Sequence, residues 1–107
     1  MPQEDRKIIF DFQELYKAIY ALSMRWEKKL PPPGVIVKIE THASDDGTLI
    51  VYIKNDHHGD LNKEEYTHDF LAAALMLFCR SCEVPVPKQS RKSVELKAGA
   101  IVLRVQI

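Results

Sequence analysis

One pattern occurs twice in this chain of 107 residues, and it limits the folds available. A helix start at Asp11 is followed by Pro31-Pro32-Pro33, a strand-like run, a turn at Gly47 and a second strand-like run. The same order returns with a helix start at Asn62, then Pro85 and Pro87, a strand-like run, Gly99 and a last strand-like run. Two helix–hairpin units predict the order αββαββ. The expected fold class is α+β: a two-layer sandwich with a mostly antiparallel sheet and both helices on one face. We read residues 1–107 as one domain, with 1–6 a flexible lead and the pseudo-repeat covering 11–54 and 62–107.

The helix starts rest on local chemistry. Asp11 and Glu14 have the spacing of a capping box, with Phe10 and Leu15 as its hydrophobic staple. Asn62 and Glu65, with Leu61 and Tyr66, have the same spacing. Phe12, Leu15, Ile19, Leu22 and Trp26 recur at steps of three and four, as do Leu71, Ala74, Leu75, Phe78 and Cys82. Each set predicts an amphipathic helix, the second running from Asn62 to about Cys82. Lys7 to Phe10 reads either as an extra N-terminal edge strand or as a lead-in to the first helix.

The strand runs alternate. Val35, Val37, Ile39, Leu49, Val51 and Ile53 are expected on the core face of the first hairpin. Val94, Leu96, Ile101, Leu103, Val105 and Ile107 are expected on that of the second. The parity is shared by Leu49 and Ile101, Val51 and Leu103, and Ile53 and Val105. That parity leaves Ile36, Ile50, Tyr52 and Val102 on the outer face as an apolar stripe. The last strand, ending at Ile107, is expected at an open sheet edge. Stripe and edge together predict a partner interface for a second copy or another protein.

Hydrophobic residues make up 46% and charged residues 28%, a globular balance. Formal net charge is zero, so nucleic acid or acidic lipid would need a local patch. The densest basic stretch holds Lys88, Arg91 and Lys92, which makes a nucleic-acid-binding module the first alternative. The second is a metal site in the loop carrying His57 and His58, since imidazoles suit divalent cations. Cys79 and Cys82 form a C-x-x-C at a helix C-terminus, where the dipole opposes a thiolate, so they read as structural. No Gly-rich nucleophile elbow or phosphate loop is present, so no catalytic residue, cofactor or enzymatic activity is expected. The longest apolar run is too short for a membrane span, and the polar N-terminus lacks a signal-peptide pattern. We therefore expect a cytoplasmic protein that binds no membrane.

Leu71 to Cys79, Val84-Pro85-Val86-Pro87 and Arg91-Lys92-Ser93-Val94 lead into the closing hairpin. This third of the chain resembles the C-terminal part of small uncharacterised bacterial proteins. The resemblance implies a bacterial cytoplasmic source and no activity. The reading that results is a non-enzymatic interaction or self-association module.

Overall fold

A computed structural model describes residues 5–42, 44–55, 57, 59–84 and 91–106, without the side chains of 45 and 46. The order is β1 (Asp5–Asp11), α1 (Phe12–Arg25), β2 (Val35–His42), β3 (Asp45–Lys54), β4 (Leu61–Thr67), α2 (His68–Ser81), β5 (Arg91–Lys97) and β6 (Ala100–Gln106). The α+β sandwich is present, with two helices and antiparallel strands. The strands divide into two sheets of three, in the orders β1-β6-β5 and β2-β3-β4. Among the described residues no helix is long and apolar enough to cross a membrane.

The extra N-terminal strand exists and pairs along its whole length with β6, from Asp5 opposite Gln106 to Asp11 opposite Ala100. The second helix starts later than the sequence suggests. Residues Leu61–Thr67 form a strand against β3, with Leu61 opposite Lys54 and Thr67 opposite Thr48. Thr67, not Asn62, is the N-cap, and its hydroxyl accepts from the Phe70 N–H at 3.1 Å. Alternating exposure from Leu61 to Thr67 suits a strand with one covered face. Asn62 and Glu65 have capping-box spacing, but ladder pairing with β3 takes their backbone instead. The first cap is as expected: Asp11 accepts from the Glu14 N–H at 2.8 Å, and Glu14 accepts from the Asp11 N–H at 3.0 Å.

With these boundaries the repeat is βαββ–βαββ. Its spacing is 56 residues through the first strand and helix, where the sequence suggested 51. Asp11 matches Thr67, α1 matches α2 at 14 residues each, and the C-caps Trp26 and Cys82 share φ −94° and ψ 7°. Glu27 and Glu83 follow at φ 54° and 58°. Lys28 N–H then reaches back to the Ser23 carbonyl, and Val84 N–H to the Cys79 carbonyl, both at 2.8 Å. These are two Schellman closures of the same form, each with glutamate where glycine is favoured.

Two irregularities then shorten the spacing to the 52 residues that relate Leu49 to Ile101. The first hairpin has a longer turn, and β2 carries a bulge at Val37, between the pairs Ile36–Ile53 and Lys38–Tyr52. The bulge reverses the parity expected at the start of β2. Ile36 turns inward and is buried, while Val35 and Val37, expected in the core, are exposed. The parity of β3 and β6 is as read: Leu49, Val51, Ile53, Ile101, Leu103 and Val105 are all buried. Gly34, just before β2, sits at φ 142°, and a Cβ there would collide with the Lys54 carbonyl.

Each half lends a strand to the other: β1 joins the sheet of β5 and β6, and β4 joins that of β2 and β3. The helices pack on each other, and each touches strands of both sheets. One core cluster therefore runs through the molecule, with Leu15, Ala18 and Ile19 of α1 and Leu71, Ala74 and Leu75 of α2 fully buried. Trp26 and Cys82, expected on buried stripes, are exposed because they are C-caps that have left the helical repeat.

These assignments separate two sets of variants in chemical denaturation. Asp11→Ala and Thr67→Ala should each cost about 1 kcal/mol as lost caps, and Asn62→Ala should change stability by no more than about 0.5 kcal/mol. Glu83→Gly should raise stability by up to about 1 kcal/mol, because it relieves a left-handed non-glycine residue. A large loss in Asn62→Ala with none in Thr67→Ala would return residues 61–67 to the helix.

Candidate interaction surface

The expected outer stripe is not exposed. Ile36 faces the core at 6% exposure, and Ile50 and Val102 are 8% and 0% exposed. Ile50 lies between Glu40 and Glu65 on neighbouring strands, and Val102 between Ile9 and Glu95. Tyr52 is half-buried and donates to Glu40 at 3.1 Å. The final strand is not an open edge either, since β6 is the centre of its sheet and paired on both sides.

The outer faces are instead closed by polar pairs. Arg104 binds Asp5 at 2.6 Å and Glu95 at 3.3 Å, spanning all three strands of its sheet. That guanidinium holds the Asp5 carboxyl below its ordinary value. On the other sheet Glu40 takes the Lys38 ammonium and the Tyr52 hydroxyl, which together lower its carboxyl. Tyr52–Glu40 and Arg104–Glu95 occupy equivalent places in the two halves, so the pattern belongs to the scaffold.

Of the alternative sites, His58 and Lys88 lie outside the described residues. His57 is exposed in its loop. Among the described residues no three metal-ligating side chains converge. Arg91 is exposed, and Lys92 is half-buried and already engaged. Cys79 is a buried free thiol whose pKa is pushed up by burial, and Cys82 is an exposed free thiol. One arrangement absent from the sequence reading has a catalytic outline. His42 lies 3.2 Å from the Ser44 hydroxyl through Nδ1 and 3.1 Å from Glu65 through Nε2. The Ser44 backbone N–H also points at that Nδ1, at 3.2 Å, so the lone pair a base would use already serves the turn.

The feature the sequence reading missed is a one-sided apolar flank. The large hydrophobics exposed among the described residues are Ile9, Tyr20, Met24, Trp26, Leu30, Val35, Val37 and Leu61. All but Ile9 and Leu61 fall between positions 20 and 37: Tyr20, Met24, Val35 and Val37 belong to α1 and β2, while Trp26 packs against Phe70 of α2 and Leu30 lines a hollow beside β4. Met24 is 59% exposed and Val37 47%. In the second half the equivalents of Met24 and Val35 are Arg80 and Arg91, that of Trp26 is Cys82, and that of Tyr20 is Met76. At Met24 and Val35 the flank thus departs from the internal repeat. α1 packs beside β2, an edge strand, leaving a groove of about 530 Å³ lined by Gln13, Tyr16, Lys17, Gly34, Val35 and Ile36. Tyr16 walls this groove, stacks with Tyr20 and donates to the Pro32 carbonyl at 3.0 Å, fixing the connector against the helix. Tyr20 and Met24 were open to detection, since they lie off the Leu15–Leu22 stripe. Val35 and Val37 were hidden by the bulge.

Comparison with known proteins returns no match to a family model, a curated protein or a solved structure.

The tyrosines give this region a defined response to alkali. Burial pushes Tyr16 above its ordinary value of 10.0, and pushes Tyr66 up to about 12. Above pH 10 the unfolded chain releases phenolic protons that the folded chain keeps, so stability falls as pH rises. Thermal midpoints should drop between pH 10 and 12, and Tyr66→Phe should flatten that drop. A midpoint independent of pH over this window would contradict the burial of both hydroxyls.

Proposed function

We propose that the protein is a non-enzymatic binding module that holds a short, extended, acidic and apolar segment of a partner protein against the α1–β2 flank. The observation that carries this reading is the set of exposed large hydrophobics Tyr20, Met24, Val35 and Val37 on α1 and β2, with arginine at the second-half equivalents of Met24 and Val35. Apolar clusters of this kind mark interaction surfaces more often than scattered single residues do. The edge of β2 adds backbone donors and acceptors, and the groove beside α1 adds space for side chains, a combination used in strand-addition recognition. The bulge at Val37 makes this edge a poor template for long sheet extension, which favours a short segment.

Charge supports an acidic partner over a second copy. Lys17 lines the groove, with no carboxylate among the lining residues. Two copies meeting flank to flank would oppose like charges, whereas aspartate and glutamate beside apolar residues would complement them. Nucleic acid finds less support. The outer faces carry paired charges, and their aromatic residue Tyr52 is tied to Glu40, leaving little for bases to stack on.

A random peptide library panned on the immobilised protein tests the reading. Enriched sequences should alternate apolar residues with aspartate or glutamate. Their affinity, read by fluorescence polarisation, should fall about tenfold in Val37→Asp and Tyr20→Ala. Enrichment of basic peptides, or binding indifferent to both changes, would contradict it. So would a dimer in light scattering that Val37→Asp dissociates, because the flank would then be taken by a second copy.

A further inference from the structure

A second hollow lies between the end of α1, β4 and the start of α2. Its volume is about 440 Å³. Ser23 stands at its inner end, 1% exposed, with a hydroxyl that has no hydrogen-bond partner. A buried hydroxyl without a partner is costly and uncommon, and one that lines a cavity is placed to meet a ligand. The wall is aromatic. Phe70 stacks on Tyr66 at 5.3 Å between ring centres and meets Trp26 edge-on at 5.8 Å. The Lys28 ammonium lies 5.4 Å from the Phe70 ring centre and 5.6 Å from that of Trp26.

The internal repeat supplies a control. Fifty-six residues away, the equivalents of Ser23, Lys28, Glu64 and Tyr66 are Cys79, Val84, Ile8 and Phe10. All four belong to the hydrophobic core or pack against it. At these four positions the other copy is apolar, and only one of the two carries a hydroxyl, an ammonium and a carboxylate there. The Thr67 hydroxyl is engaged in capping α2 and Glu65 is paired with His42, so the groups left to meet a ligand are those of Ser23, Lys28, Lys29 and Glu64.

The charges narrow the ligand class. Lys28 and Lys29 line the hollow together with Glu64 and Glu65. Glu65 is already paired with His42, so a simple anion would meet the Glu64 carboxylate and a simple cation two ammonium groups. A ligand carrying both charges a few bonds apart satisfies both. We propose that this hollow binds a free α-amino acid with an aromatic or large apolar side chain. Its carboxylate meets Lys28 and the Ser23 hydroxyl, its ammonium meets Glu64, and its side chain lies on Phe70 and Tyr66.

Titration of the ¹⁵N-labelled protein with L-phenylalanine tests this, with 3-phenylpropionate and phenethylamine as arms that each lack one charge. L-Phenylalanine should give saturable shifts at Ser23, Lys28 and Phe70, and each one-charge analogue should bind about tenfold more weakly. Ser23→Ala should weaken binding while the thermal midpoint of the free protein stays the same or rises, because an unpaired hydroxyl is removed. Lys28→Met and Glu64→Gln should weaken it too. The proposal is overturned by the absence of saturable shifts, by 3-phenylpropionate or phenethylamine binding as tightly as L-phenylalanine, or by Ser23→Ala leaving the affinity unchanged.

Discussion

Everything else in this molecule leans on the contact between α1 and α2. Each sheet has three strands with an apolar face that must be covered by a second layer. The helices supply the missing layer for both sheets at once, because each touches strands on both sides. Leu15 and Ile19 from one helix and Leu71 and Leu75 from the other are fully buried. Burial of each such side chain is worth about 1.5–3 kcal/mol. Ala18 and Ala74, equivalent in the repeat and both fully buried, keep side-chain bulk low so that the helices can approach.

The exchange of β1 and β4 makes this joint necessary. Neither half closes its own sheet, so the first strand of each half pairs with the last strand of the other. The N-terminal strand and β6, at opposite ends of the chain, lie side by side through Asp5 and Gln106. Arg104 then ties Asp5 to Glu95 across that sheet. Within so repetitive a scaffold, the positions where the halves differ stand out against a built-in reference. Met24 and Val35 of the exposed flank and the hollow around Ser23 are of this kind.

Much of the fold was legible from local chemistry. The Asp11–Glu14 box and the alternation of Leu49–Ile53 and Ile101–Val105 depend on neighbours in sequence, and both are as expected. What was not legible depends on distant pairing. Asn62-x-x-Glu65 has the spacing of a cap, and only its alignment with β3 makes it a strand. Val37 becomes a bulge because of how β2 meets β3, and that single extra residue moves Ile36 inward and Val35 outward. The burial of Val102 follows from β1 flanking β6, a contact between chain ends that no local window contains. The candidate surface was therefore half visible: Tyr20 and Met24 from helical spacing, and Val35 and Val37 only after register was known.

The central claim is that one helix pair holds two separate sheets in a single cooperative unit. Native-state hydrogen exchange in rising denaturant tests it on β3 and β6, the central strands of the two sheets. The account predicts that their most protected amides, such as those of Val51 and Leu103, open with the same free energy and the same denaturant dependence. Opening of β6 at distinctly lower free energy, with β3 still protected, would contradict it.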